Sequence, residues 1–371
     1  MRRFLQPIVA ATLFGLIYGL SAPLIALRLA EQGYSTLQIG INAALHAAGV
    51  LLIAPLLPCL CRLFATQRLL QLALTAVAIV LLLFLWLPVG AWWWLRLLLG
   101  MAAEVILVVS ESWLSQNSSE HSRAKNMALY IAMLSLGFAG GPLMLSIWGS
   151  GSGLFVAGSA LAILATLGML PSGQPPLATA DEQALSLYQA IAMIPLALAA
   201  AVLNAAVETA GMNLLGLYAI RLGWGVEQAS SLIAILLAGA IIMQLPIGWL
   251  ADRYDRKRLL LLCSALSVPG ALCWPIALGH LWCSYALLFC WGGVFVGIYT
   301  LMMTLIGVRF QGAALTRVYT LLSLAWGAGA LPGPLLGGAA MSVTRHGLPW
   351  LAALLCSLFL CLALWLNKRS G

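Results

Sequence analysis

Residues 69–88 read LLQLALTAVAIVLLLFLWLP, a run without a single charged side chain. The hydrocarbon core of a bilayer is about 30 Å thick, and an α-helix needs about 20 apolar residues to cross it. Because backbone polar groups in lipid must be satisfied within the segment, such a run is expected to be helical. It lacks the alternation of polar and apolar residues that marks a membrane β-strand. The stretch therefore predicts a transmembrane helix.

Similar apolar runs fill most of the 371-residue chain, in which 63% of residues are hydrophobic and only 8% are charged. A soluble domain of this size has about a quarter of its residues charged. The runs predict an all-α polytopic membrane protein with twelve spans. These lie at residues 5–27, 38–60, 69–88, 91–113, 125–147, 153–170, 190–218, 229–250, 259–278, 281–306, 315–341 and 348–366.

The basic residues lie in short turns between the apolar runs, so the formal net charge of +8 indicates topology and not a nucleic-acid partner. Loops that carry an excess of Lys and Arg stay in the cytoplasm. Fourteen of the basic residues fall on one side and only Arg28, Arg221 and Arg345 on the other, with Arg96 inside the fourth span. This asymmetry predicts that both termini and the even-numbered loops are cytoplasmic.

The only lengthy polar stretch, at residues 171–187, reads PSGQPPLATADEQALSL and cannot span lipid. It divides the chain into an N-terminal six-helix bundle at 1–170, a cytoplasmic linker at 171–187 and a C-terminal six-helix bundle at 188–371. The halves repeat at an offset of about 192 residues, as Gly100 and Gly292 illustrate. Parallel repeats imply two bundles about a pseudo-two-fold axis, with a substrate site between them near the midplane.

The turn after the eighth span reads Gly248-Trp-Leu-Ala-Asp252-Arg253-Tyr-Asp255-Arg256-Lys257. It resembles the hallmark loop of the major facilitator superfamily, G-x-L-A-D-R-x-G-R-K, with Asp255 in place of the second glycine. Glycine permits close helix approach, and an aspartate can pair with a basic residue or a helix N-terminus. The resemblance implies a cytoplasmic gating loop of Gly248, Asp252, Arg253, Arg256 and Lys257. In the equivalent turn of the first half, Arg62 aligns with Arg253. Cys61 stands where the acidic residue is expected, so the loop signature is incomplete there. The alternative is a simple positive-inside anchor.

The fifth and eleventh spans carry glycines at helical spacing followed by proline. The two copies are Gly137, Gly141 and Pro142, and Gly329, Gly333 and Pro334. They resemble part of the antiporter motif of the same family, although its upstream glycine is missing from both. Close helix packing explains the glycines about as well. We therefore place efflux only slightly ahead of uptake.

The fourth and seventh spans carry the charged residues that indicate chemistry. Arg96, Glu104 and Glu111 share one face of the fourth span with Gly100, and Asn204 and Glu208 share a face of the seventh with Gly211. A charge deep in a bilayer is costly unless it faces protein or water. We predict Glu104 and Glu208 as proton carriers and Arg96 as a charge partner. A static ion pair or polar packing is the alternative.

Further polar residues lie on the spans that line the central cavity in this family. They are Tyr18, Asn42, His46, Tyr130, Tyr299 and Trp326. By contrast the third, sixth and twelfth spans are almost purely hydrocarbon, as lipid-facing supports should be. We predict no metal site and no cofactor, because the Met and Cys residues lack ligand spacing and read as core filling.

The resemblance covers the whole chain, which is similar to compact permeases of the bacterial inner membrane. It implies alternating access, a small-molecule substrate, a lipid environment and a monomer. There is no Walker sequence, and we identify no catalytic residues, so an ATP-driven pump or an enzyme is not expected. The hypothesis is proton-coupled movement of a small organic solute, with efflux favoured. The alternatives are an uptake symporter or facilitator, or a non-transporting sensor or assembly factor on the same fold.

Overall fold

The computed structural model describes residues 2–118, 120–169, 194–310 and 312–370, and the regular secondary structure in them is helical throughout. Short 3-10 turns lie at Ala54–Leu56 and Val89–Ala91. The α-helices are α1 (Arg2–Glu31), α2 (Thr36–Ile53), α3 (Leu57–Leu63), α4 (Thr66–Trp86), α5 (Trp92–Gln116), α6 (Glu120–Trp148), α7 (Gly153–Gly168), α8 (Pro195–Arg221), α9 (Val226–Ile242), α10 (Gln244–Arg253), α11 (Arg256–Leu272), α12 (Trp274–Ala277), α13 (Leu281–Arg309), α14 (Gly312–Ala330), α15 (Pro332–Val343) and α16 (Gly347–Ser370).

These helices account for the twelve predicted spans. Within the described residues, nine continuous helical stretches are long and apolar enough to cross a membrane. A tenth, α7, is apolar but has only 16 residues. The two remaining spans, the ninth and the eleventh, are each divided, the ninth into α11 and α12 and the eleventh into α14 and α15. The all-α polytopic fold class is therefore confirmed.

Several spans are interrupted where proline occurs, which the sequence-based spans did not anticipate. The second span passes through a 3-10 turn at Pro55, and the eighth breaks at Met243, just before Pro246. Proline lacks the N–H that a helix needs and clashes with the preceding turn. Pro55 and Pro246 are equivalent positions of the repeat, so both halves interrupt the same span.

Contacts between Cα atoms divide the chain into two compact units. Unit 1 contains Met1–Tyr34, Asn42–Ala180 and Val226–Ala234, and unit 2 contains Ser35–Ile41, Asp181–Gly225 and Ile235–Gly371. The predicted linker at 171–187 lies outside the described residues. The division into bundles 1–170 and 188–371 stays a prediction.

The ends of α1 and α8 show the internal repeat in atomic detail. Each helix is followed by a glycine with positive φ, +84° at Gly33 and +102° at Gly223, a conformation that only glycine adopts cheaply. Beyond each glycine a backbone N–H reaches back to the helix, from Tyr34 to Leu29 O at 3.1 Å and from Trp224 to Ala219 O at 3.2 Å. The first span of each half thus ends in the same Schellman-type cap.

Exposed tryptophans lie at helix ends, where they mark the membrane surface. Trp86 ends α4, Trp94 lies in the first turn of α5, Trp148 ends α6, and Trp282 begins α13; all four have exposed side chains. Indole rings concentrate at the headgroup level because one edge is polar and the rest is apolar. Their positions agree with helices that cross a bilayer.

Candidate functional site

Three predicted site residues of unit 1 come together from three different helices. Arg96 on α5 is completely buried, with 0% of its surface exposed. Tyr18 on α1 and His46 on α2 stack obliquely, with ring centroids 4.8 Å apart and planes at 50°. The charge of Arg96 interacts electrostatically with both rings. The result is a buried, positively charged cluster inside unit 1.

Glycines bring α2 and α5 close enough to build this cluster. A Cβ placed on Gly100 would overlap the backbone carbonyl of His46, and one on Gly49 would overlap the carbonyl of Leu97. The two backbones therefore touch one turn beyond Arg96. This contact gives a physical reason for the R-x-x-x-G spacing of Arg96 and Gly100, because the glycine sets His46 beside the arginine.

The space around the cluster is small. A cavity of about 10 Å³ is lined by Tyr18, His46 and Ser21 together with apolar side chains from α1, α4 and α5. That volume is about what one water molecule requires. The cluster is therefore a polar centre within unit 1 and not, by itself, a chamber for an organic solute.

The acidic residues of α5 become more exposed along the helix. Glu104 is half-buried and Glu111 is exposed, and the two carboxylates interact electrostatically. Arg96 and Glu104 are separated by about 12 Å of helix rise, at about 1.5 Å per residue. Arg96 interacts electrostatically with His46 and Tyr18, and its pairing with Glu104 stays a prediction.

Unit 2 holds the second predicted group on a single helix. On α8 the amide Nδ2 of Asn204 donates to Glu208 Oε2 at 3.0 Å. Asn204 is buried and Glu208 is half-buried. Gly211 lies one turn further on the same face, and no described atom beyond its chain neighbours and the nearby backbone of its own helix lies within 4 Å of the position that its Cβ would occupy. The face of α8 that carries this carboxyl–amide pair is therefore open at Gly211.

The glycines of the fifth and eleventh spans pack helices backbone to backbone. In unit 1 a Cβ on Gly137 would overlap Thr12 O, and one on Gly141 would overlap the backbone of Gly19, both on α1. In unit 2, Gly329 and Gly333 meet α8 in the same way, at Val202 and Ala206. The close packing is thus a property of both copies.

The prolines of this motif act differently in the two copies. Pro142 lies inside the continuous helix α6. The second copy is broken at Leu331, between α14 and α15, immediately before Pro332 and Pro334.

The remaining predicted cavity residues are not drawn into one group by the described contacts. Asn42 is buried and donates to Trp92 O at 3.4 Å. Tyr130 belongs to the core of unit 1, where its hydroxyl lies 2.9 Å from Ser110 Oγ, so we assign it to packing. Tyr299 and Trp326 are half-buried in unit 2.

The predicted gating loop shows why Asp255 stands where the family has glycine. Asp255 Oδ1 accepts a hydrogen bond from Arg258 N at 2.8 Å and so caps the N-terminus of α11. Arg256 lies 3.9 Å from Asp252, as the predicted pairing requires. The guanidinium of Arg253 covers the Trp249 ring, 3.9 Å from its centroid. Arg62, in the first-half turn, is exposed.

One expectation for this loop is wrong. Gly248 was expected to allow two helices to approach closely, yet no described atom beyond its chain neighbours and the nearby backbone of its own helix lies within 4 Å of its Cβ position. Among the described residues, Gly248 is therefore not a packing glycine. The close contacts occur instead at Gly100 and at its repeat equivalent Gly292, whose Cβ would overlap Leu236 O.

Comparison with known proteins relates this chain to a family of transporters. Residues 190–370 match the Major Facilitator Superfamily. A protein of Bacillus subtilis (strain 168), named uncharacterized MFS-type transporter YfkF, is 28% identical over 278 residues, which are 73% of this chain and 70% of that protein. The C-terminal half of the chain is thus similar to the major facilitator superfamily, and a relative named as a transporter of that type matches 73% of the chain.

Solved structures of superfamily transporters share the whole fold. The nucleoside transporter NupG superposes with a TM-score of 0.79 at 13% identity, covering 99% of both chains. A bacterial homolog of the human lysosomal transporter Spinster gives 0.74 at 14% identity, covering 99% of this chain and 94% of that one. At these identities the likeness shows the twelve-helix superfamily fold. The fold, the family match and the name of the relative are those of multi-pass membrane transporters and not of enzymes.

A polar pair between α13 and α10 was not predicted from the sequence. Thr300 Oγ1 on α13 donates to Gln244 Oε1 at 2.5 Å, and Gln244 Nε2 donates to Ala240 O at 2.7 Å. Gln244 begins α10 at the break of the eighth span. A glutamine inside an apolar run was a usable signal, because an amide in lipid needs a partner.

Proposed function

We propose that this transporter moves a small organic solute across the bacterial inner membrane by alternating access, coupled to protons, with efflux as the favoured direction. The observation that carries the proposal is the Glu208 carboxyl group, hydrogen-bonded by Asn204 at 3.0 Å on α8. Among the described residues no basic group forms an ion pair with it. A half-buried carboxyl group without a fixed counter-charge can be either protonated or ionised, as a proton carrier must.

Asn204 is suited to both protonation states of Glu208. Its Nδ2 donates to the carboxylate, and in the described structure its buried Oδ1 has no hydrogen-bond partner. A side-chain amide offers both donors and an acceptor. After a turn of the amide, the same residue can accept from the protonated carboxyl group. Open space at Gly211 leaves room for water or solute on that face.

Glu104 is the second candidate carrier, and Arg96 supplies a fixed positive charge. Glu104 is half-buried on α5, with the more exposed Glu111 as its electrostatic neighbour. Because Arg96 is positively charged and Glu104 and Glu208 carry carboxyl groups, the substrate can be an anion or a cation. Cytoplasmic termini and a monomer are part of the same proposal.

The test begins with a substrate. A thermal-shift screen of metabolites and drugs on purified protein should reveal a stabilising compound. Nucleosides belong in the screen, because the structurally similar NupG is a nucleoside transporter. Transport of the compound found is then measured in proteoliposomes with and without an imposed pH gradient.

Variants assign the coupling to a residue. We expect Glu208→Gln to lower gradient-driven transport at least about tenfold, equivalent to about 1.4 kcal/mol, and Glu104→Gln to have a smaller effect. Glu111→Gln is the matched control, because Glu111 is an exposed carboxylate on the same helix as Glu104. Transport that ignores the gradient, or full activity in the Glu104→Gln/Glu208→Gln double variant, would remove the coupling proposal.

The alternatives separate by direction and by mechanism. A deletion strain that fails to import the labelled compound indicates an uptake symporter or facilitator, whereas one that accumulates it indicates efflux. A sensor or assembly factor should tolerate the loss of alternating access. Cross-links that lock the protein on either side of the membrane, with its cellular function intact, would favour that class.

A further inference from the structure

A cavity of about 730 Å³ lies inside unit 2, and neither Asn204 nor Glu208 lines it. It is bounded by the start of α8, the start of α11, the end of α13 and the end of α16. Its volume falls within the range of small-molecule sites. The four helix termini place it at the end of unit 2 that the basic residues assign to the cytoplasm.

The cavity has apolar walls and a basic rim. The walls come from side chains such as Leu260, Leu261, Leu305 and Ala363. Lys257 and Arg309 also line it, and both are exposed. Arg309 lies with its guanidinium carbon 5.5 Å from the ring centroid of the buried Phe310, another wall residue. The lining therefore suits an amphiphile with a negative head.

The surface of α11 and α16 next to the cavity is apolar and exposed. On α11, Leu262 comes directly after the wall residues Leu260 and Leu261 and is 53% exposed. On α16, Leu364 is 45% exposed and Trp365 is 49% exposed. Such side chains on a membrane helix face acyl chains. Trp365 near the end of α16 is typical of the headgroup level. On both helices, exposed apolar side chains thus lie next in sequence to wall residues of the cavity.

We propose that this cavity binds an anionic phospholipid of the cytoplasmic leaflet. Its phosphate diester lies between Lys257 and Arg309, and an acyl chain follows the wall formed by Leu261 and Leu305. Arginine matches phosphate geometry with several donors, and lysine adds a point charge. Basic pockets between membrane helices on the cytoplasmic side suit such headgroups. The inference is independent of the proton coupling proposed for Glu208.

Native mass spectrometry of the purified full-length protein tests this assignment. Delipidated protein is titrated with phosphatidylglycerol, with phosphatidylcholine of the same acyl chains and with inorganic phosphate. The charge variant is Lys257→Gln/Arg309→Gln. Its matched control, Arg258→Gln/Lys368→Gln, removes two exposed basic residues at the same end of unit 2 but outside the cavity lining. Leu261→Trp fills the cavity without changing charge.

We expect one tightly held phosphatidylglycerol per chain and weaker retention of phosphatidylcholine and phosphate. Each lost basic side chain should weaken binding about fivefold, from about 1 kcal/mol per charge. Leu261→Trp should weaken it as well, and the control variant should bind as the wild type does. Size-exclusion profiles identify variants that are not folded, and for those the single substitutions Lys257→Gln and Arg309→Gln are used.

Three results would overturn the assignment. Equal losses in the charge variant and its control would mean unspecific attraction to a basic surface. Phosphate binding as strong as lipid binding would mean an ion site without an acyl chain. Lipid binding that appears only in Asp181→Asn/Glu182→Gln would mean that the acidic segment of the chain itself, and not a lipid, occupies the cavity.

Discussion

Asp255 illustrates how one side chain can depart from a family pattern for a local reason. It caps α11 through the 2.8 Å bond from Arg258 N. Loss of such a cap costs about 0.5–2 kcal/mol for alanine but only a few tenths for glycine. We expect Asp255→Ala to lower the free energy of unfolding by about 1 kcal/mol, and Asp255→Gly, which restores the family residue, to change it little. Thermal unfolding in detergent measures both.

Asp252→Ala is the control for this prediction. Its carboxylate pairs with Arg256 at 3.9 Å with 78% of the side chain exposed, and exposed pairs contribute about 0–1 kcal/mol. Its variant should therefore unfold close to the wild type. If Asp255→Ala were no less stable than Asp252→Ala, the capping role would be refuted.

The polar residues differ in how far the sequence could predict their partners. Asn204 and Glu208 are four residues apart on one helix, so helical periodicity alone places them together. Tyr18, His46 and Arg96 lie on three helices, and their meeting depends on helix packing that spacing along the chain does not encode. Tyr130 stays a predicted cavity residue, because a tyrosine can equally satisfy its hydroxyl inside a core, here beside Ser110.

Pairs of helices in both units depend on glycine contacts, which makes them sensitive to one added carbon. A Cβ on Gly100 or on Gly292 would overlap a backbone carbonyl, and backbone cannot yield as a flexible side chain can. Overpacking of this kind costs about 1–3 kcal/mol. We expect Gly100→Ala and Gly292→Ala each to lower thermal stability by that amount, as measured by the temperature of unfolding.

Gly248→Ala is the matched substitution for the two packing glycines. Gly248 lies within α10 with no described atom near its Cβ position, so alanine should be neutral or stabilise the helix by about 0.5–1 kcal/mol. A Gly248→Ala protein that unfolds as early as Gly100→Ala would show that its glycine does pack against a neighbour.

The breaks within the helices could not be predicted from the sequence. Hydropathy locates a span because burial in lipid depends on composition, and it is insensitive to local geometry. Pro142 lies within an unbroken α6, whereas Pro332 and Pro334 follow a break at Leu331. Two prolines in three residues remove two helical N–H donors, and the equivalent first-half helix loses only one.

The fold of the whole chain could be predicted because membrane constraints leave few choices. Apolar runs, the repeat and the loop signature all pointed to the superfamily, and the twelve-helix fold is confirmed. Substrate and direction could not be predicted, since they depend on how side chains from distant spans meet. Orientation in the membrane likewise stays a prediction from the placement of Lys and Arg.

A fusion experiment tests that orientation. The positive-inside rule predicts a cytoplasmic C-terminus, so a green fluorescent protein fused after Gly371 should fluoresce, and alkaline phosphatase at the same position should be inactive. A phosphatase fusion to the turn at Gly33 after the first span should be active. An active C-terminal phosphatase would show that the topology is the reverse of the predicted one. The basic rim of the unit 2 cavity would then lie on the side opposite the cytoplasm.

Accessibility of α8 tests alternating access most directly. Gly211 has room for a side chain and lies on the face of Glu208, so Gly211→Cys in a cysteine-free background leaves the carboxyl group in place. We predict that a membrane-impermeant thiol reagent labels this cysteine from either side of the membrane, in right-side-out and in inside-out vesicles, while a cysteine at the exposed Leu72 of α4 reacts from neither. A cysteine at 211 that only a lipid-soluble reagent can reach would contradict the account.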